Sequence, residues 1–341
     1  MLEGRVRRLR LAQRRSARRM VRWLVTVGLL ALFLSVFLFF APYYTSPAIE
    51  YRRIWVALIV AQPFSLLAVW LAGVRLASIA GANVTHVNGF WANVFAIAAF
   101  PILPGRLSEA AKPIVLNLQA ELPITQGIAA VAFERLLDAA FLALLTVLAV
   151  SAVASQHSQG LIQSAIFSCL IFAVGVGMIA IVAHYPKVGS AIIAKLPSAL
   201  LRGQADHILK VIIENASWER LRWPMALTAL IWAFSYLIFF VYLRVAAVVP
   251  LTAAEILLVF MVSTLGLIVT VTPGGLGTFE GAIVFSLGTF GYSMEDALVV
   301  AVMLRVTVML PAAPAVVWFI SKYGFSLFDS AIRLYRARHD P

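Results

Sequence analysis

The stretch "TVTPGGLGTFEGA", residues 270–282, sets Pro273, Gly274, Gly275, Gly277 and Glu280 between two apolar runs. A glycine-rich turn can cradle a phosphate, cap a helix, or break one inside a membrane. A dinucleotide fingerprint needs a strand before it and a glycine three residues after Gly277. Position 280 is glutamate and the flanks are spanning-length apolar runs, so nucleotide binding is rejected. The remaining reading is the tip of a broken helical hairpin. Pro273 stops one half-helix, the glycines let the backbone turn in a crowded interior, and Glu280 is placed to balance a cation.

Composition supports a membrane setting. Hydrophobic residues make up 62% of the 341 residues and charged residues 12%, against about 45–50% and about 25% in soluble domains. The mean hydropathy is +0.95. Cys169 is the only cysteine, and the five histidines have no ligand spacing, so neither disulfides nor a metal site organise the chain. No cofactor is expected. The net charge of +12 is carried in large part by nine arginines between Arg5 and Arg22, just before an apolar run. This pattern reads as an orienting arm facing anionic lipid rather than a nucleic-acid site.

Apolar runs at roughly 21–42, 54–80, 124–155, 161–184, 224–247 and 294–320 are each long enough to cross a bilayer. Two further apolar regions, 87–120 and 252–291, are interrupted by "PILPGRLSEAAK" (101–112) and "TPGGLGTFEG" (272–281). Lysine and arginine placement puts both termini and segment 185–223 in the cytoplasm, against which only Arg52 and Arg53 argue. The expected organisation is a basic arm (1–20), a first repeat (21–155) with broken hairpin 87–120, a second repeat (161–320) with broken hairpin 252–291, and a basic tail (321–341). Segment 185–223 is expected to lie amphipathically along the cytoplasmic interface.

The two broken regions resemble each other. Pro104-Gly105 is followed by Leu107, Glu109 and, on the next run, Arg135; Pro273-Gly274 is followed by Leu276, Glu280 and then Arg305. The prolines lie 169 positions apart and the arginines 170. Three crossings and one hairpin per half make the second half inverted. The expected fold is therefore an all-α, polytopic membrane protein with inverted repeats and two broken, re-entrant or spanning, hairpins around a cavity.

Charges within the apolar regions are the candidate site: Arg106, Glu109 and Lys112; Glu134, Arg135 and Asp138; Arg244; Glu280; Arg305. Each is costly at a helix centre and should face the interior. Arg135 and Asp138 can pair at i,i+3, whereas Glu134 and Asp138 repel unless a cation intervenes, for which Arg106 or Lys112 is the candidate. Lys112, Glu134 and Asp138 read as structural ion pairs bracing the hairpin, with direct substrate contact as the alternative. Arg305 has no carboxylate on its own helix face, so its partner is either Glu280 or an anionic ligand.

"PGRLSEAAKPIVL", "FERLLD" and "PGGLGTFEGA", followed by Arg305 in an apolar helix, resemble the flippase-like membrane domain of lysylphosphatidylglycerol synthases over roughly residues 20–320. Where that family commonly has Arg-x-Gly-Glu, this chain has Arg106-Leu107-Ser108-Glu109. The resemblance implies a bacterial inner-membrane location and lipid movement between leaflets, with hopanoid or glycolipid handling in some stand-alone relatives. No aminoacyl-transferase segment follows residue 320, so lipid aminoacylation is not expected. The substrate would be an amphiphile with an anionic or glycosylated head, or a hopanoid-type lipid. Its head would meet Arg106, Arg135 and Arg305, while Glu109 and Glu280 balance charge. A membrane-embedded enzyme of lipid synthesis, or a scaffold for lipid-biosynthesis enzymes, is the alternative.

Overall fold

The computed structural model describes residues 51–100, 107–153, 185–246 (except 196 and 216), 251–268, 272 and 274–310, with single residues at 163, 166, 170 and 177. The basic arm, the run at 21–42, nearly all of 161–184, the far part of 294–320 and the basic tail lie outside the described residues, as do Pro104, Gly105, Arg106 and Pro273. What is described falls in one compact unit, Ser46–Pro311.

Among the described residues every regular element is helical. In chain order these are α1 (Tyr51–Ala80), α2 (His86–Ala99), a 3-10 turn (Leu107–Ala110), α3 (Ala111–Ala120), α4 (Ile124–Val153), α5 (Pro186–Ala194), α6 (Ala199–Asn215), α7 (Trp218–Ala246), α8 (Ala253–Ile268), α9 (Thr278–Thr289) and α10 (Met294–Met309). Three of these are long and apolar enough to cross a membrane, over Arg53–Ala80, Ile124–Ala152 and Trp218–Val245. Each interrupted region holds two helices packed on each other: α2 against α3, and α8 against α9.

One boundary differs from the sequence reading. α7 starts at Trp218, so the last residues of segment 185–223 belong to a long helix, and the rest of that segment is the two helices α5 and α6. The Ser217 carbonyl accepts the N–H groups of Arg220 and Leu221, which opens the helix six residues before Pro224. Proline that close to a helix start removes little of the hydrogen-bond ladder. The polar first turns, with Trp218 and Trp223 exposed, suit a bilayer–water boundary.

The unit is apolar outside as well as inside. Ile59, Leu66, Leu144, Val147 and Leu148 are exposed along the long helices, while Leu76, Ala92, Leu116, Ala129, Val259, Ile283 and Leu304 are buried between them. Outward apolar faces suit hydrocarbon. α1 packs most extensively on α7, and α4 touches α1, α3, α6, α7 and α8.

Close helix crossings rest on glycine. A Cβ on Gly89 of α2 would lie 2.1 Å from the Gly73 carbonyl oxygen of α1, and one on Gly73 would lie 2.4 Å from Phe90 N. Backbones approach this closely only through residues without side chains, the usual small-residue route to helix association in membranes.

Candidate functional site

Two groups of charged side chains sit among these helices, one beside each break. The first centres on α4. Glu134 is fully buried and Asp138 lies one turn further along the same helix. The cation between them is Arg75, from α1: Nε donates to Glu134 Oε1 at 3.2 Å, and Nη1 and Nη2 donate to the two Asp138 oxygens at 2.6 and 3.2 Å. Arg75 Nη1 also donates to Thr228 Oγ1 of α7 at 2.9 Å, and Trp232 Nε1 donates to Asp138 Oδ1 at 3.3 Å. Lys112 of α3 bridges Glu134 (3.2 Å) and Glu109 (3.0 Å). Arg135 pairs with Asp138 at 3.0 Å and lies 3.5 Å from Glu109.

Arg75, Lys112 and Arg135 thus face Glu109, Glu134 and Asp138, three charges of each sign. Arg75 is absent from the sequence-based candidates, although it stands in the apolar run 54–80. Its i±3 and i±4 neighbours, Leu71, Ala72, Ser78 and Ile79, include no carboxylate. That is the same signal that singles out Arg305, and it points to a partner elsewhere in the chain.

The second group joins α9 and α10. Gly274, Gly275 and Gly277 have φ of 65°, 65° and 88°, a region that glycine enters without steric cost. The turn aims two carbonyl oxygens at one guanidinium: Arg305 Nη1 donates to Gly274 O, and Nη2 to Gly275 O at 2.9 Å. Nε and Nη2 hold the Glu280 oxygens, the second at 3.0 Å. Glu280 Oε2 also accepts the Gly277 N–H at 2.9 Å, closing the first turn of α9. The ring of Phe279 lies 4.9 Å from the guanidinium carbon. Of the two sequence-based alternatives, the Arg305–Glu280 bridge is formed.

The two groups share one kind of pairing. In each, an arginine on the helix after the hairpin pairs with the glutamate of the hairpin's second limb, Arg135 with Glu109 and Arg305 with Glu280. Arg244 departs from expectation: it is exposed in the last turn of α7, stacked 5.7 Å over Phe240, rather than turned inward. The end of a spanning helix lets a long cationic side chain reach water. Among the described residues no cluster of histidine, cysteine and carboxylate could hold a metal.

Both groups open onto one cavity of about 380 Å³. Its wall is largely apolar, from Ala68 and Ala72 of α1, Ile231, Trp232 and Phe239 of α7, Phe260 and Leu267 of α8, Phe279 and Met309. Among the described residues Lys112, Arg135, Arg305 and Glu109 are its charged lining residues; Arg75, Glu134, Asp138 and Glu280 are not in the wall. Cations therefore face the lumen while most of their counter-ions stand behind them. Ser65, Asn93, Ser108, Ser235 and Thr264 add polar groups.

A family comparison agrees with this architecture. Residues 19–315 match the profile described as the lysylphosphatidylglycerol synthase transmembrane region. The match is to the membrane region alone. No curated protein and no solved structure matches significantly. With spanning helices and most of its length matched, the chain belongs to the lysylphosphatidylglycerol synthase transmembrane-region family and is a multi-pass, flippase-like membrane protein.

Proposed function

We propose that the protein moves an amphipathic lipid with an anionic head group between leaflets, the head passing through the cavity between the two hairpins. The observation that carries this reading is the charge layering of the wall. Among the described residues three cations and one carboxylate line the lumen, and the three carboxylates paired with those cations from outside the wall are accompanied there by Arg75 alone. In a site of low dielectric, the nearer charges dominate what an incoming head group feels. Arginine fits phosphate through paired N–H donors and keeps its charge when buried.

Substrate contact is assigned to Arg135 and Arg305, with Glu109 balancing charge and Glu280 holding Arg305 in place. Arg106, which lies outside the described residues, is proposed as a further contact from the first break. Lys112, Glu134 and Asp138 brace the hairpin. The two halves are proposed as inverted repeats, with Pro104-Gly105 and Pro273 to Gly277 as corresponding breaks.

The proposed orientation, with both termini in the cytoplasm, is supported by where the long helices end. Ala80 at the end of α1 with Gly81 after it, Gln126 at the start of α4, and Trp223 and Pro224 near the start of α7 line one polar cavity together with Lys210, Glu214 and Arg220. These three span ends therefore lie on one side, beside Lys210, Arg220 and Glu214, and that side is assigned to the cytoplasm from the lysine and arginine pattern of the sequence.

The test is reconstitution of the full chain in vesicles with phosphatidylglycerol labelled on its acyl chain. Movement between leaflets without chemical change, reduced in Arg135→Gln, supports the reading. A lipid that stays in place but is chemically altered favours a membrane-embedded enzyme and overturns it.

A further inference from the structure

Resting on the reading of an anionic head group in this cavity, we infer that Arg75 sets the charge selectivity of the site without touching the lipid. It is 2% exposed and does not line the cavity. Yet it binds two of the three carboxylates that Lys112 and Arg135 use, Glu134 beside Lys112 and Asp138 beside Arg135; the third, Glu109, lines the cavity itself.

Glu134 and Asp138 are each shared between a hidden cation and a lining one. Glu134 gives Oε1 to Arg75 and Oε2 to Lys112. Asp138 gives both oxygens to Arg75, at 2.6 and 3.2 Å, and the second of them also meets Arg135 at 3.0 Å. Arg75 therefore takes up part of the negative charge of Glu134 and Asp138, so that Lys112 and Arg135, which also share Glu109, are less fully neutralised where they face the lumen than they would be without it. With Arg75 the group of six side chains has no net charge. Without Arg75 it carries one negative charge, the two carboxylates turn wholly to Lys112 and Arg135, and the wall loses its attraction for a phosphate. A buried unit charge acts at this range with little screening.

Arg75 is thus a positioning and selectivity residue. Its signature is the ratio of affinities for anionic and zwitterionic heads, which a merely structural role would leave alone. Full-length protein in detergent micelles is titrated with dihexanoyl phosphatidylglycerol and dihexanoyl phosphatidylcholine. Wild type prefers the glycerol head. Arg75→Met lowers that preference on the order of tenfold or more, Arg75→Lys largely keeps it, and Asp138→Asn, which leaves the group with a positive charge, raises it.

A loss of both affinities in equal proportion, or an unchanged ratio, overturns the inference. If Arg75→Met does not fold, Asp138→Asn and Arg75→Lys decide: a ratio that fails to rise in the first, or that collapses in the second, overturns it. Wild type that binds selectively but moves no lipid between leaflets refutes transport while leaving the role of Arg75 intact.

Discussion

Arg75 of α1 grips both oxygens of Asp138 on α4, 63 positions away in the chain, through two N–H donors of one guanidinium. The same side chain reaches Glu134 and Thr228, so α1, α4 and α7 meet at a single residue. Removing one member of a buried, hydrogen-bonded ion group leaves the others charged and unpaired, at a cost of about 3–5 kcal/mol. Asp138→Ala is expected to lose about that much in thermal or denaturant unfolding in detergent, and Asp138→Asn clearly less.

Arg305 makes a comparable prediction for the second break. It satisfies the carbonyls of Gly274 and Gly275 and the carboxylate of Glu280 at once. Lysine can supply charge but not the planar fork. Arg305→Lys should therefore keep Glu280 paired but release the turn, and Arg305→Ala should do both kinds of damage. Limited proteolysis at residues 274–277 reads this: faster cleavage in both variants, with a large loss of stability only in the alanine form.

Glycine substitutions separate crowding from backbone strain. Gly89→Ala forces α1 and α2 apart, because the new methyl meets the Gly73 carbonyl at 2.1 Å. Gly277→Ala meets nothing within 4 Å but holds φ at 88°. Overpacking costs about 1–3 kcal/mol and a left-handed residue about 1–2 kcal/mol. Gly89→Ala should accordingly be the more destabilising of the two, and a valine at 89 worse again, measured as melting temperature.

Much of this organisation is legible in the sequence, and the reasons are local. The glycines at 274–277 form the turn read from the sequence, and of the charges singled out in the apolar regions all the described ones except Arg244 join ion pairs. For Arg305 the sequence narrows the partner to Glu280 or an anionic ligand, because no carboxylate lies on its own helix face and Glu280 stands at the second break. The first group was harder. Three carboxylates and several cations lie within a short stretch, so composition offers many pairings, and the bridging cation comes from α1, a helix without a break or motif. The start of α7 was misplaced for another reason: an early proline and a polar first turn look like loop until Ser217 is seen to open the helix.

Filling the cavity should stop function without unfolding the protein. Ala72 lines the lumen beside Trp232. Ala72→Trp is expected to abolish lipid movement in reconstituted vesicles while shifting the melting temperature far less than Asp138→Ala. An unhindered rate in this variant would place the lipid path elsewhere.

The central claim, that an anionic lipid head occupies this cavity, is tested most directly by photo-crosslinking. A diazirine-bearing residue is placed at 235, which lines the cavity, and in a second protein at 59, which is 67% exposed on the outer face of α1. Both are illuminated in bilayers of mixed phosphatidylglycerol and phosphatidylcholine, and the adducts are identified by mass. The account predicts adducts at 235 enriched in phosphatidylglycerol over its share of the bilayer, and adducts at 59 that mirror the bilayer composition. No lipid adduct at 235, or the same lipid mixture at both positions, would contradict it.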